Sequence, residues 1–303
     1  MTKSGSLARI LVVAAALCAP SNAFAPQPVA VSKATATSKS IANQPTALYV
    51  WNPFVKQEEA PAVIEVVKED PVPGPFETKN YIAAGVLATL VTFSFLLAPG
   101  ELNSPADTEM VNLLVSNPYP RPEGLNELWF GIWNCFTVVP AVIAALEAPV
   151  GRGQRLPAAP FLWASAGLGY FALGPYFATR TVRDEAPDLE DMGFASRNIF
   201  ESKIFGALVS AVAISIPFSS GLIGCDFSST LAGYIDLATS SRFVAVASAD
   251  ITILSVLAGV LVSEDATRRG WEDKSLPLLA ATILLPVVGP SLYLVARPSL
   301  KEE

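Results

Sequence analysis

The sequence predicts an all-α fold, a polytopic bundle of about six membrane-spanning helices behind a cleaved presequence. Three observations carry this. The 303 residues are 51% hydrophobic and only 16% charged, with mean hydropathy +0.44, too apolar and too charge-poor for an ordinary soluble enzyme of this size. The apolar residues are blocked rather than dispersed, in segments of about 20, and at 1.5 Å per helical residue each covers the roughly 30 Å hydrocarbon core of a bilayer. The clearest blocks, LWFGIWNCFTVVPAVIAALE and LPAAPFLWASAGLGYFALGPYFAT, are joined by a short basic loop holding Arg152 and Arg155, the pattern of a transmembrane helical hairpin.

Composition also excludes function classes. A net charge of −7 and a pI near 4.8 give no basic footprint, so a nucleic-acid partner is not expected. The chain has no histidine, which removes Ser-His-Asp and Cys-His catalysis, His-ligated zinc or haem, and histidine pH switches. Cys18, Cys135 and Cys225 show no CxxC spacing and read as isolated small residues. There is no Walker loop and no GxGxxG. Ser219-Ser220-Gly221 has no histidine base and no lysine within a span to activate a serine.

The N-terminus reads as an address. No Asp or Glu occurs before Glu58. Lys3 and Arg9 precede an apolar run, Ile10 to Ala19, of the length of a signal-peptide core and short of a membrane span. A Ser-, Thr-, Ala- and Lys-rich stretch, AVSKATATSKSIANQPTA, follows with the composition of a transit peptide. The expected division is a signal peptide over 1–23, cleaved between Ala23 and Phe24, and a transit peptide over 24–47. The junction Ala23-Phe24-Ala25-Pro26 resembles the Ala-Phe-Ala-Pro motif of nucleus-encoded plastid proteins of diatom-type algae. That resemblance implies passage through the ER-derived outermost membrane and import into the plastid.

Along the mature chain, 48–79 is acidic and Pro-rich and reads as an extended linker. The membrane domain is expected over 80–297, with spans at about 81–98, 128–147, 157–178, 204–223, 243–262 and 276–296, and a tail over 298–303. Ala84 and Ala88 give the first span a small-xxx-small face. Ser104 at a cap position, Pro105 after it and Asp107 three residues on from Ser104 predict a short helix ending before Asn117-Pro118, lying along the interface or, alternatively, capping the soluble side. Trp129, Phe130 and Trp133 stand where an aromatic belt belongs. Pro140 and Pro175 interrupt the hairpin, and Gly167, Gly169 and Gly174 thin one face of its second helix. Cys225 to Arg242 is too polar for a span and reads as an interfacial turn and helix.

Two patterns stay open at this level. Arg152-Gly153, Gly174-Pro175, Tyr176 and Arg180 echo Arg269-Gly270, Gly289-Pro290, Tyr293 and Arg297. Paired halves with interrupted helices are a transporter trait. Pro157 and Pro175 are 18 positions apart, however, and Pro277 and Pro290 only 13, which argues against a duplication. Lys and Arg in alternate loops from Lys56 to Lys301 divide eight and eight over six spans. Such a balance leaves orientation open or points to a miscounted span.

The candidate polar site within the membrane is Asp250, near the middle of FVAVASADITILSVLAGVLV, where an ionised carboxylate costs about 3 kcal/mol on insertion scales. Its roles are a proton or cation site in transport, a pigment or headgroup contact, or an interhelix clamp; Asn134 is the expected polar companion. Glu147, Arg152, Arg155, Arg180, Arg183, Arg268, Arg269 and Arg297 fall near helix ends, where interface anchoring and headgroup contact are the expected role and binding of a substrate phosphate the alternative. No cofactor is implied. Trp133, Pro140, Gly151-Arg152-Gly153, Pro157, Pro160-Phe161 and the run Gly174 to Arg180 resemble uncharacterised multi-span membrane proteins of cyanobacteria and plastids. The expectation is a non-catalytic integral protein of a plastid membrane, thylakoid or inner envelope, contacting lipid and a larger complex. The alternative is a small-solute or ion transporter using Asp250.

Overall fold

The computed structural model describes residues 72–300. The expected signal peptide, transit peptide and most of the linker lie outside the described residues. Within them are nine α-helices and no strand: α1 (Thr78–Thr92, continued by a π turn at Phe93–Leu97), α2 (Pro105–Ser116), α3 (Glu127–Glu147), α4 (Ala158–Phe177), α5 (Lys203–Ser219), α6 (Phe227–Ser240), α7 (Arg242–Arg268), α8 (Glu272–Leu284) and α9 (Val288–Ala296). Three helical segments, Thr78–Leu97, Glu127–Val150 and Arg242–Arg268, are long and apolar enough to cross a membrane; Lys203–Ser219 is apolar but shorter.

Local signals start most helices. Side chains of Asn126, Ser202, Asp226 and Ser241 accept from backbone N–H groups at the starts of α3, α5, α6 and α7. The expected short helix after Ser104 is α2, and the expected polar segment after Cys225 is α6. Asp107 does not cap its own helix. Its carboxylate accepts from Ser241 Oγ at 2.6 Å and Phe243 N at 3.2 Å, so it neutralises the start of α7 instead.

Two expected spans are corrected. The segment 157–178 does not run straight through: α4 folds back on itself at Gly169, whose φ of 54° and ψ of −134° suit only glycine. The Phe161 and Tyr176 rings lie 6.0 Å apart between centroids, whereas a straight helix would separate these residues by roughly 22 Å. Arg155, before α4, donates to Thr179 O after it at 3.1 Å. The segment 276–296 is likewise two helices, α8 and α9, broken at Leu285-Pro286-Val287, where Pro286 supplies no N–H. Arg269, ahead of α8, donates to Pro298 O beyond α9 at 2.7 Å, so this segment also returns to where it began.

Both folded-back segments start and finish at one end of the bundle, here called the arginine end. α1 and α5 begin there, α3 and α7 finish there, and the short helices α2 and α6 lie at the opposite end. The order is therefore a repeat: long helix, short helix at the opposite end, long helix, folded-back hairpin, first as α1 to α4 and again as α5 to α9. Glu147, Arg152-Gly153, Pro160, Ser165, Gly169, Tyr176 and Arg180 stand 117 positions before Glu264, Arg269-Gly270, Pro277, Thr282, Pro286, Tyr293 and Arg297. One ungapped register thus relates the hairpins, break to break. The mismatch of 18 against 13 arises because Pro157 and Pro175 are not the counterparts of Pro277 and Pro290. Buried Ser165 and Thr282 even make the same bond, each hydroxyl donating to the carbonyl three residues earlier.

α3 and α7 pack against each other, α1 lies on α4, and α5 lies on α9. The core they enclose includes Val142, Ile143, Leu146, Leu173, Leu254, Leu261 and Val262, all buried. Close contacts are made by small residues. A Cβ at Gly206 would stand 3.0 Å from the Leu294 backbone, and one at Gly174 2.8 Å from Leu87.

Candidate functional site

Asp250 lies in α7, a third of the way along, and its environment is built by the break in α4. Reversing at Gly169 costs the next residue its intrahelical acceptor, leaving the Tyr170 N–H at the start of the returning half-helix. The Asp250 carboxylate accepts that N–H at 2.8 Å. The approach is so close that a Cβ on Gly169 would fall 1.8 Å from Asp250 Oδ2. Glycine is required there twice over, for its φ and for the space. The carboxylate is 5% exposed and stands at the positive end of a half-helix dipole, the place where a buried negative charge is best compensated. Tyr170 extends the arrangement by donating its hydroxyl to Ala83 O of α1 at 3.1 Å.

Asn134 is not the companion of Asp250. Its Nδ2 donates to Phe130 O one turn earlier in α3, at 2.8 Å, so it serves its own helix. The partner of Asp250 is a main-chain group, which no residue type in the sequence announces. In the second hairpin the register places Val287 at the position of Tyr170 and Trp133 at that of Asp250, so the carboxylate cap belongs to the first repeat alone.

The larger polar assembly is at the arginine end and consists of two matched clusters. In the first, Glu147 at the end of α3 is fully buried; it accepts from Tyr176 Oη at 2.8 Å and from Arg180 at 2.9 Å. Arg180 also reaches Glu264 of α7 at 2.7 Å, and Lys79 of α1 pairs with the same Glu264 at 3.1 Å. In the second cluster, Asp265 near the end of α7 accepts from Tyr293 Oη at 2.8 Å and from Arg297 at 3.3 Å. Arg269 bonds Asp265 at 2.7 Å and, with Arg297, clasps Glu201. In each case a tyrosine on the returning helix and an arginine four residues on, just past its end, bind an acid at the end of the preceding long helix.

Matching main-chain clamps close the clusters. Asn80 Nδ2 donates to Arg180 O at 2.8 Å, and Lys203 Nζ donates to Arg297 O, so the first helix of each repeat holds the end of its hairpin. Burial disfavours the charge on Arg180, but the Glu147 and Glu264 carboxylates more than offset this and hold its pKa above the ordinary arginine value. Arg269 is raised in the same way against its burial by Asp265 and Glu201.

These clusters correct the expectation of interface anchoring for Glu147, Arg180, Arg269 and Arg297, which are buried and paired inside the protein. Arg152, by contrast, is half-exposed and meets Asp191 at 3.3 Å. Arg155 stacks over Phe76 at 4.1 Å and binds Thr179 O. Buried Arg268 bonds Arg183 O at 3.5 Å and leaves Nη2 without a hydrogen-bond partner.

Among the described residues no group of His, Cys, Asp and Glu is arranged to hold a metal ion. A groove of about 420 Å³ lies between α1 and α7, walled chiefly by Ala88, Leu90, Phe93, Leu97, Ala249 and Ile253. Its lining suits hydrocarbon and carries no charged group. No protein family, no curated protein and no solved structure matches this chain.

Proposed function

We propose that this chain is a non-catalytic integral protein of a plastid membrane, thylakoid or inner envelope, acting as an accessory or assembly component of a larger membrane complex. The observation that carries this reading is the engagement of Asp250. Its carboxylate is bound to the Tyr170 N–H, so the most conspicuous acid at membrane depth serves the architecture of α4. The buried acids and arginines of the arginine end are likewise bound to one another. What faces outward is apolar, including Ile204, Leu208 and Val212 along α5, surface suited to lipid or to another protein's helices. In this reading α1, α3, α5 and α7 cross the membrane, α5 being a short span of 17 residues. The α4 and α8–α9 hairpins are re-entrant; membranes tolerate such a break where protein covers it, as Asp250 does at Gly169, and the exposed Leu284, Leu285 and Pro286 at the second break would be covered by the partner complex. The plastid address rests on the Ala23-Phe24 junction and the acid-free stretch around it.

A second reading is a small-solute or ion transporter using Asp250, favoured by the paired broken helices in two repeats. Asp250→Asn separates the two. An asparagine Oδ1 still accepts the Tyr170 N–H but carries no charge. On the accessory reading the variant accumulates and comigrates with its complex on native gels as the parent does, while Asp250→Leu loses abundance. Loss of solute uptake in a variant that accumulates normally decides for transport, and a free monomer in mild detergent counts against the accessory reading.

A further inference from the structure

We infer that the arginine end faces the side from which the chain is inserted, the stroma if the plastid reading holds, and that the opposite end, with α2, α6 and Cys225, is the translocated face. This rests on the four-span reading above, because the even division of Lys and Arg arises from counting the two folded-back hairpins as spans. With both hairpins returning to their starting side, the 13 Lys and Arg between 72 and 300, which six spans would divide five against eight, redistribute. Arg121 and Arg242 lie at the opposite end, against Glu127 and the last carbonyls of the first long helix. The other 11, from Lys79 to Arg297, lie at or beside the arginine end. Eleven against two, all close to helix ends, is the asymmetry that sets orientation during insertion.

The arrangement has a second consequence. Both repeats have the same orientation, since each begins and ends at the arginine end. The duplicated Tyr-Arg-acid clusters therefore share one aqueous face, and the short helices α2 and α6 share the other. On that other face Phe227, Leu231 and Ile235 form an exposed stripe at four-residue spacing on α6, the mark of a helix lying in the lipid interface.

Accessibility to a membrane-impermeant maleimide tests this in sealed membrane vesicles of known sidedness carrying the full chain. Cys225 is the native probe at the opposite end; Arg152→Cys and Ala186→Cys, each in a Cys225→Ser background, probe the arginine end on either side of α4. The expected result is that both introduced cysteines react from the insertion side, whereas Cys225 reacts only after permeabilisation or from the other side. Reaction of the Arg152→Cys and Ala186→Cys chains from opposite sides would overturn the re-entrant hairpin and with it the inference. Reaction of both from the translocated side, with Cys225 on the insertion side, keeps the four-span reading and overturns the orientation.

Discussion

Arg180 stands between carboxylates of the two repeats, 2.9 Å from Glu147 and 2.7 Å from Glu264, with its side chain 6% exposed. Such a pair contributes little relative to an apolar replacement of both partners, yet removing one side is expensive because a buried charge is left alone. Arg180→Met should therefore cost roughly 3–5 kcal/mol, read as a lower melting temperature of the detergent-solubilised protein. Adding Glu147→Gln should recover a large part of that loss, since the two side chains are in contact and their effects do not add. A double variant no more stable than the single one would mean that Arg180 matters through its guanidinium over the Phe177 ring, 4.8 Å from the centroid, and not through its pairing with Glu147. The sequence made Arg180 conspicuous but misplaced it, because a long cationic side chain beside a helix end looks alike whether it reaches water or turns inward to an acid 33 residues away. Asp250 was conspicuous too, as an acid in an apolar segment. Its partner was hidden, since a backbone N–H freed by a helix break has no side-chain signature.

The reversal of α4 is the feature that length and hydropathy conceal most completely. Twenty apolar residues have the same composition whether they cross a bilayer once or enter and return, and Gly169 was one of three glycines with no mark to single it out. Helix starts were more legible: Pro105 opens α2 with Ser104 at the cap position, as the sequence displays directly, although the Ser104 side chain makes no capping bond. Spin labels at Pro160 and Ala178, both at least partly accessible positions, measure the reversal. A straight helix would hold these positions roughly 27 Å apart, whereas the stacking of Phe161 on Tyr176 brings the two arms side by side. The interspin distance should fall well short of the straight-helix value, and the Gly169→Ala variant, which places a methyl group against Asp250, should broaden or lengthen it. A sharp distance at the straight-helix value would dismiss the hairpin.

Across the whole molecule the two repeats hold each other through contacts that neither makes alone. Asp107 of the first caps α7 of the second, Asp250 of the second caps the α4 break of the first, and Asn126 and Glu127 at the start of α3 bond Thr230 of α6. Arg180 and Glu264 add an ion pair across the same boundary, and α3 lies against both α5 and α7. The repeat became legible only once the breaks at Gly169 and Pro286 supplied the register, because Pro157, Pro175 and Pro290 have no proline counterparts at 117 positions, while the tyrosine and arginine that clasp the hairpin's end keep their places and the acid they bind shifts by one, from Glu147 to Asp265. A chain cut between Asp188 and Leu189, on the segment joining the repeats, should therefore reassemble: the two fragments, expressed together with a tag on one, should copurify from mild detergent. Beside the packing of α3, the Asp107 and Asp250 contacts are caps that burial makes costly to leave open, so weakening both should be felt together. Asp107→Ala with Asp250→Leu should reduce the recovered untagged fragment several-fold, while Asp236→Ala, on an exposed turn of α6, should leave recovery unchanged. Fragments that accumulate but never copurify would show that the chain connection, and not these contacts, keeps the repeats together.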